Sequence, residues 1–193
     1  MLDKTIKTRW LSAASYDEKW VARSEELLSM FFQYEDKAKQ WTFSEYGCGP
    51  YAPFKRLASD REGYQVNTYD LKSWDHNNEV VDLNSTPLDV RTSDVGVLSG
   101  VCEYLNDLET VLKSLSQFHQ YFLISYASVP LSMEFHDAKY IKEIRMRSVN
   151  RGWRNHLNIK EFIGLVSTIG YVAHIGTWDR QTLLYVRGFS TNL

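Results

Sequence analysis

The chain has 193 residues, 44% of them hydrophobic and 24% charged, with a formal net charge of −2 at pH 7. That length supports one domain with its own core, and the near-neutral charge excludes a global pull toward nucleic acid or acidic membranes. No apolar run reaches a transmembrane length, and no apolar h-region follows the first residues, so neither a membrane segment nor a secretory signal is expected.

Two cysteines, Cys48 and Cys102, without a Cys-x-x-Cys or a pair of histidines at helical spacing, predict reduced thiols, a cytoplasmic setting and no metal site.

Residues 9–40 are expected to be helical with a break. Trp10, Ala13, Ala14, Tyr16 and Trp20 recur at three- and four-residue spacings, and Ser24-Glu25-Glu26 is expected to open a second helix through Leu27, Leu28, Phe31 and Phe32. Most of these aromatics are packing residues; Tyr16 and Trp20 also suit a lid beside the glycine turn that follows. Residues 41–46 form a strand running into Gly47-Cys48-Gly49-Pro50-Tyr51. Gly47 and Gly49 remove Cβ atoms where the backbone bends and a ligand approaches. Glu45 places a carboxylate two residues before the turn, and Pro50 suits the first turn of a helix, expected over residues 52–59.

Residues 64–70 form a second strand ending in Asp70, which falls 21 residues after Gly49. In βαβ nucleotide folds an acid there accepts hydrogen bonds from ribose hydroxyls; a helix cap or turn residue is the simpler alternative. Residues 80–84 give a short third strand or its edge, residues 93–101 a fourth, apolar enough for burial on both faces, and residues 121–126 a fifth. A helix through Leu108, Val111, Leu112 and Leu115 joins the last two. Asn158-Ile159-Lys160-Glu161 has the form of a capping box, and residues 171–175 and 182–186 form two closing strands joined by a short connection. Strand–helix alternation demands a parallel sheet with helices on both faces, and the closing pair must be antiparallel.

Taken in order, these stretches resemble the class I S-adenosylmethionine-dependent methyltransferases over about residues 10–188. Glu45-Tyr46-Gly47-Cys48-Gly49-Pro50 is similar to the family's first motif, Asp70 to its ribose-binding acid, and Asp82-Leu83-Asn84 to the stretch beside the adenine. Ser99-Gly100-Val101-Cys102-Glu103-Tyr104-Leu105 is similar to the turn after the fourth strand, and the Trp10–Trp20 stretch to the N-terminal helix. The resemblance implies an α/β, Rossmann-like three-layer sandwich with a mostly parallel sheet and a C-terminal antiparallel hairpin. It implies a single domain over residues 1–193, with residues 1–40 as a helical lid and residues 127–157 as a substrate-covering insertion. It implies S-adenosyl-L-methionine as cofactor, held by Glu45, Gly47, Cys48, Gly49, Pro50, Asp70, Asp82, Leu83, Ser99 and Gly100. The sequence departs from the pattern at Tyr51, where many members have Gly, and at Tyr104, where they have His. A dinucleotide oxidoreductase is the other reading of the glycine turn.

The resemblance further implies methyl transfer to a small-molecule or glycan-type acceptor, with oxygen favoured, and the oligomeric state stays open. Within the insertion, His156 and His136 are the candidate bases, His156 serving equally as a residue that orders the start of the next helix. His76, His119 and His174 are expected at the surface or at strand edges. From residue 139 to 154, Lys139, Lys142, Arg145, Arg147, Arg151 and Arg154 face only Glu143. Arginines favour carboxylates and phosphates, so an acidic or phosphorylated acceptor is expected, bound by Arg147, Arg151 and Arg154, with Tyr16, Tyr126 and Trp153 lining its site. A solvated helix face is the plain alternative. A cofactor-binding subunit without turnover, serving a partner protein, is the second reading that Tyr51 and Tyr104 keep open. A nucleic-acid substrate is disfavoured by the charge and by the absence of an Asn-Pro-Pro-Tyr type motif.

Overall fold

Seven strands form one sheet in the order β3-β2-β1-β4-β5-β7-β6. The computed structural model describes residues 12, 17–85, 87–132 and 137–189. Tyr16 and His136, together with Trp10, Ala13 and Ala14, lie outside the described residues.

The first described helix is α1 (Lys19–Phe32), and it runs unbroken through Ser24. The signal for its start is Asp17, whose carboxylate accepts the Lys19 N–H at 3.0 Å; Ser24, expected to open a second helix, is instead buried on its inner face. Strand β1 (Thr42–Tyr46) leads through the glycine turn to α2 (Pro53–Lys55), which widens into a π-turn over Arg56–Arg61. Pro53, rather than Pro50, takes the first helical position. Strand β2 (Gln65–Asp70) pairs parallel with β1, and β3 (Glu79–Val80) pairs parallel with β2. The third strand is thus two residues long and ends before Asp82-Leu83-Asn84, which forms a turn.

Strand β4 (Val95–Ser99) lies against β1, and α3 (Leu108–Leu115) returns the chain to β5 (Tyr121–Tyr126), parallel to β4. After β5 comes the inserted helix α4 (Ala138–Arg145), continuing as a π-turn over Met146–Arg151. Helix α5 (Ile159–Val166) starts with the expected capping box of Asn158 and Glu161. The closing hairpin is longer than expected, β6 (Gly170–Trp178) and β7 (Gln181–Gly188), and β7 runs antiparallel to both β5 and β6.

Two-residue periodicity divides the core across the sheet. Tyr46, Leu98, Phe122, Ile124, Leu184 and Val186 face α3 and α5, against Leu112, Leu115, Phe162 and Val166. Phe43, Val95, Val97, Leu123, Leu183 and Tyr185 face α1 and α2, against Leu27, Phe31, Phe54 and Leu57. The result is a three-layer sandwich with the carboxyl ends of β1, β2 and β4 at one rim, where ligands of open α/β sheets bind. His119, expected at the surface or at a strand edge, is buried just before the amino end of β5, between the Tyr46 hydroxyl at 2.6 Å and Ser93 Oγ at 3.0 Å.

Candidate functional site

A cleft of about 960 Å³ opens at this rim. That volume lies at the upper end of the range for small-molecule and cofactor sites. It is lined by the ends of β1, β2 and β4, by the start of α1 and by the last residues of the insertion.

The glycine turn forms its floor. Gly47 has a φ of +63°, and a Cβ built on it would stand 2.4 Å from Val101 Cγ2, so the turn closes this tightly only without a side chain. Asp70 Oδ2 accepts the Gly49 N–H at 2.6 Å, and Asp70 Oδ1 accepts the Leu71 N–H at 2.6 Å. Burial pushes the Asp70 carboxyl up, and these two N–H groups oppose the shift. His76 Nε2 meets the Gly49 carbonyl at 2.8 Å. Tyr51 is not among the residues lining the cleft; the Arg56 guanidinium lies 5.5 Å from its ring centroid.

Glu45 is buried at 2% exposure, and its two oxygens accept the N–H groups of Phe54 at 3.1 Å and Lys55 at 2.9 Å. The free N–H groups at the start of α2 are therefore filled by a carboxylate of the chain itself. Burial raises the Glu45 carboxyl to about 7, against the pull of the two N–H groups, with the nearby Asp70 charge adding to the rise.

The cleft is also lined by a residue that no sequence motif marks. Arg23, on α1, is 5% exposed. Its Nε donates to Ser99 Oγ at 2.8 Å, its Nη2 to the Ser99 carbonyl at 3.1 Å, and its Nη1 to Gln181 Oε1 at 3.1 Å. Among the described residues it forms no ion pair, and burial lowers its pKa despite Glu103, Tyr104, Glu45 and Asp17. Gly100, at φ +70°, makes room for it: a Cβ there would come within 2.6 Å of Nη1. Its partners lie 76 and 158 residues away in sequence, so only the sheet order brings them together.

Of the residues expected to hold the cofactor, Glu45, Gly47, Cys48, Gly49, Asp70, Asp82, Leu83, Ser99 and Gly100 all line this cleft, and Pro50 does not. Trp20, the second lid candidate, also lines it.

The acceptor-side expectations divide differently. Arg151 and Trp153 line the cleft, and Trp153 Nε1 donates to the Tyr104 hydroxyl at 2.8 Å. Arg147 does not line it. Its guanidinium is spent on Glu143 at 2.7 Å, the Ala127 carbonyl at 2.6 Å and the Ser128 carbonyl at 3.2 Å, which ties α4 to the end of β5. Arg154 is exposed and outside the cleft lining; its backbone N–H donates to the Glu103 carbonyl. Tyr126 is a core residue, stacked on Phe162 at 4.2 Å, with its hydroxyl accepting the Leu157 N–H. His156 is also absent from the lining: its Nε2 meets Ser148 Oγ at 2.8 Å, inside the insertion. Glu103, which the sequence marks only as part of the stretch after the fourth strand, does line the cleft. No group of three or more metal-binding side chains occurs among the described residues.

No protein-family model matches the chain, and no curated protein matches it. Solved structures do. CalO1, a methyltransferase in calicheamicin biosynthesis in its SAH-bound form, aligns at 16% identity and TM-score 0.60 over 87% of this chain and 54% of its own. The mitomycin 7-O-methyltransferase MmcR aligns at 13% identity and TM-score 0.61 over 88% of this chain and 54% of its own. The PH0226 protein from Pyrococcus horikoshii OT3 aligns at 13% identity and TM-score 0.62 over 89% of this chain and 92% of its own. The chain spans about half the length of the first two. At these identities the likeness is one of fold, and the fold is the Rossmann-like one that CalO1 and MmcR adopt.

Proposed function

We propose that this chain is an S-adenosylmethionine-dependent methyltransferase acting on a hydroxyl group of a small acceptor that carries a negative charge. The observation that carries the cofactor reading is Glu45 on the start of α2. A dinucleotide places its pyrophosphate on the helix N-terminus after the glycine turn. Here the N–H groups of Phe54 and Lys55 are already taken by the Glu45 carboxyl, so they are not free to receive a pyrophosphate. The charges of the cleft suit an amino-acid nucleoside better. Asp70 at the end of β2 offers an acceptor for a ribose diol, and Arg23 is a buried cation in want of an anion, such as an amino-acid carboxylate. Leu83, buried beside Asp82, offers an apolar surface for a purine.

When bound, S-adenosylmethionine supplies an electrophilic methyl group on a sulfonium, so the protein's work is positioning and proton removal. Arg23, Ser99 and Asp70 hold the ends of the cofactor, and Trp153, Tyr104 and Arg151 form the wall that receives the acceptor. The negative charge expected on the acceptor rests on Arg151, since Arg147 is occupied within the fold. An inactive subunit loses one of its two grounds, because Tyr51 lies outside the cleft lining.

The test is incubation with methyl-labelled S-adenosylmethionine and a panel of small hydroxylated acids. Label in a product ether supports the reading. Binding of the cofactor without label transfer to any acceptor favours the inactive subunit.

A further inference from the structure

Glu103 is the buried acid at the acceptor wall that the fold leaves half used. It sits in the short 3₁₀ turn Cys102–Tyr104 that follows β4 and Gly100, and it is 2% exposed. One oxygen, Oε1, accepts the Ala127 N–H at 2.9 Å. The other, Oε2, is buried and has no hydrogen-bond partner among the described residues. Buried carboxylate oxygens are rarely left so, because the lost hydration is not recovered.

The surroundings hold the Glu103 backbone in place. Its backbone carbonyl accepts the N–H groups of Arg154 at 2.6 Å and Asn155 at 3.2 Å. Asn155 Nδ2 donates to the carbonyls of Cys102 at 2.8 Å and Leu105 at 2.6 Å, on either side of it. Trp153 is bonded to Tyr104, the next residue. The end of the insertion is thus clamped around Glu103, and the clamp puts Glu103, Tyr104, Trp153 and Arg151 on one wall of the cleft.

On the reading given above, we propose that Glu103 is the group that accepts the acceptor's hydroxyl proton during methyl transfer, with Trp153 against the acceptor's body and Arg151 on its negative group. Oε2 takes the hydroxyl proton as the acceptor oxygen bonds the methyl carbon. The carbon–sulfur bond of the sulfonium breaks with its electron pair left on sulfur. The proton then passes from Glu103 to water as the product leaves. Burial raises the Glu103 carboxyl, which makes it a better proton acceptor than a solvated acid. Arg23 on α1 and Arg147 on the insertion oppose that rise, and the neighbouring Tyr104, Cys102 and Tyr126 are the other titratable groups around it. His156, bonded to Ser148, is not needed for this step.

The probes are 4-hydroxybenzoate, which offers a hydroxyl, a ring and a carboxylate, and 4-methoxybenzoate, which lacks the hydroxyl proton. Wild type and Glu103→Gln, each saturated with S-adenosylhomocysteine, are titrated with both by calorimetry. The expected result is a wild-type preference of at least tenfold for the hydroxyl probe and a loss of that preference in Glu103→Gln. Arg151→Met should weaken both probes alike. Equal binding of the two probes by wild type, no binding of the hydroxyl probe, or the same preference in Glu103→Gln overturns the assignment. If the Gln variant does not take up S-adenosylhomocysteine, the wild-type ratio alone decides. If wild type does not take it up, the methyltransferase reading fails, and this inference fails with it.

Discussion

The carboxylate of Asp70 accepts the backbone N–H of Gly49 at 2.6 Å, so the last residue of β2 pins the turn that follows β1. The acid proposed to hold the ribose is therefore also a strut of the cleft floor. A charge-assisted hydrogen bond of this kind contributes about 1.5–3 kcal/mol. Asp70→Ala should cost about 2 kcal/mol of stability and speed amide exchange at Gly49 while leaving exchange in α3 unchanged. Urea unfolding and exchange mass spectrometry check this; unchanged exchange at Gly49 would mean the strut carries no load.

Gly47 and Val101 meet across the same floor. Gly47→Ala places a side chain at positive φ, which costs about 1–2 kcal/mol, and drives its Cβ into the Val101 methyl. Adding Val101→Ala should recover the steric part and leave the backbone part. A double-mutant cycle by urea unfolding reads both. Equal loss in the single and double variants would contradict the contact.

Two buried groups give the protein opposed pH dependences. Burial raises the Glu45 carboxyl from 4.5 to about 7. Its contribution to stability is full below pH 4.5 and is lost as pH rises toward 7, so wild type should lose ground against Glu45→Gln over that window, by a few kcal/mol at most. Burial lowers His119 from 6.5 to about 4. Its contribution is present above pH 6.5 and is lost as pH falls toward 4, so wild type should lose ground against His119→Gln in that direction. Unfolding free energies across pH 4 to 8 test both slopes, and a constant gap for either variant would contradict its assignment.

Arg147 and Arg151 belong to one basic run but to different tasks. Arg147 holds Glu143, Ala127 and Ser128, so Arg147→Met should cost about 2–3 kcal/mol of stability. Arg151 is exposed at the cleft, so Arg151→Met should stay within about 0.5 kcal/mol of wild type in stability and show its effect on 4-hydroxybenzoate affinity. The reverse pattern, seen by thermal unfolding and calorimetry, would reassign the two.

The glycine turn, β5 and the capping box of α5 were legible because each is local: a positive φ, a continuous apolar run, or a cap three residues from its partner. The third strand was overestimated because Val80-Val81 carries β propensity, while a turn takes the residues that follow. The sequence offers helix α4 only as a solvated face: Tyr140, Ile141 and Ile144 recur at helical spacing, but none of its residues is buried, and the charge run masks the pattern. Arg23 was invisible for a different reason: its meaning depends on Ser99 and Gln181, which only the folded sheet brings to it. The arginine run looked uniform in sequence because burial, not spacing, separates Arg147 from Arg151.

The central claim is that the cleft takes S-adenosylmethionine and not a dinucleotide. Calorimetric titration of wild type and Asp70→Ala with S-adenosylmethionine, S-adenosylhomocysteine and NADH tests it most directly. The account predicts micromolar binding of the first two by wild type, on the order of 8 kcal/mol, at least tenfold weaker binding by Asp70→Ala, and no binding of NADH. Binding of NADH in place of the adenosyl ligands, or no binding of either adenosyl ligand by wild type, would contradict it.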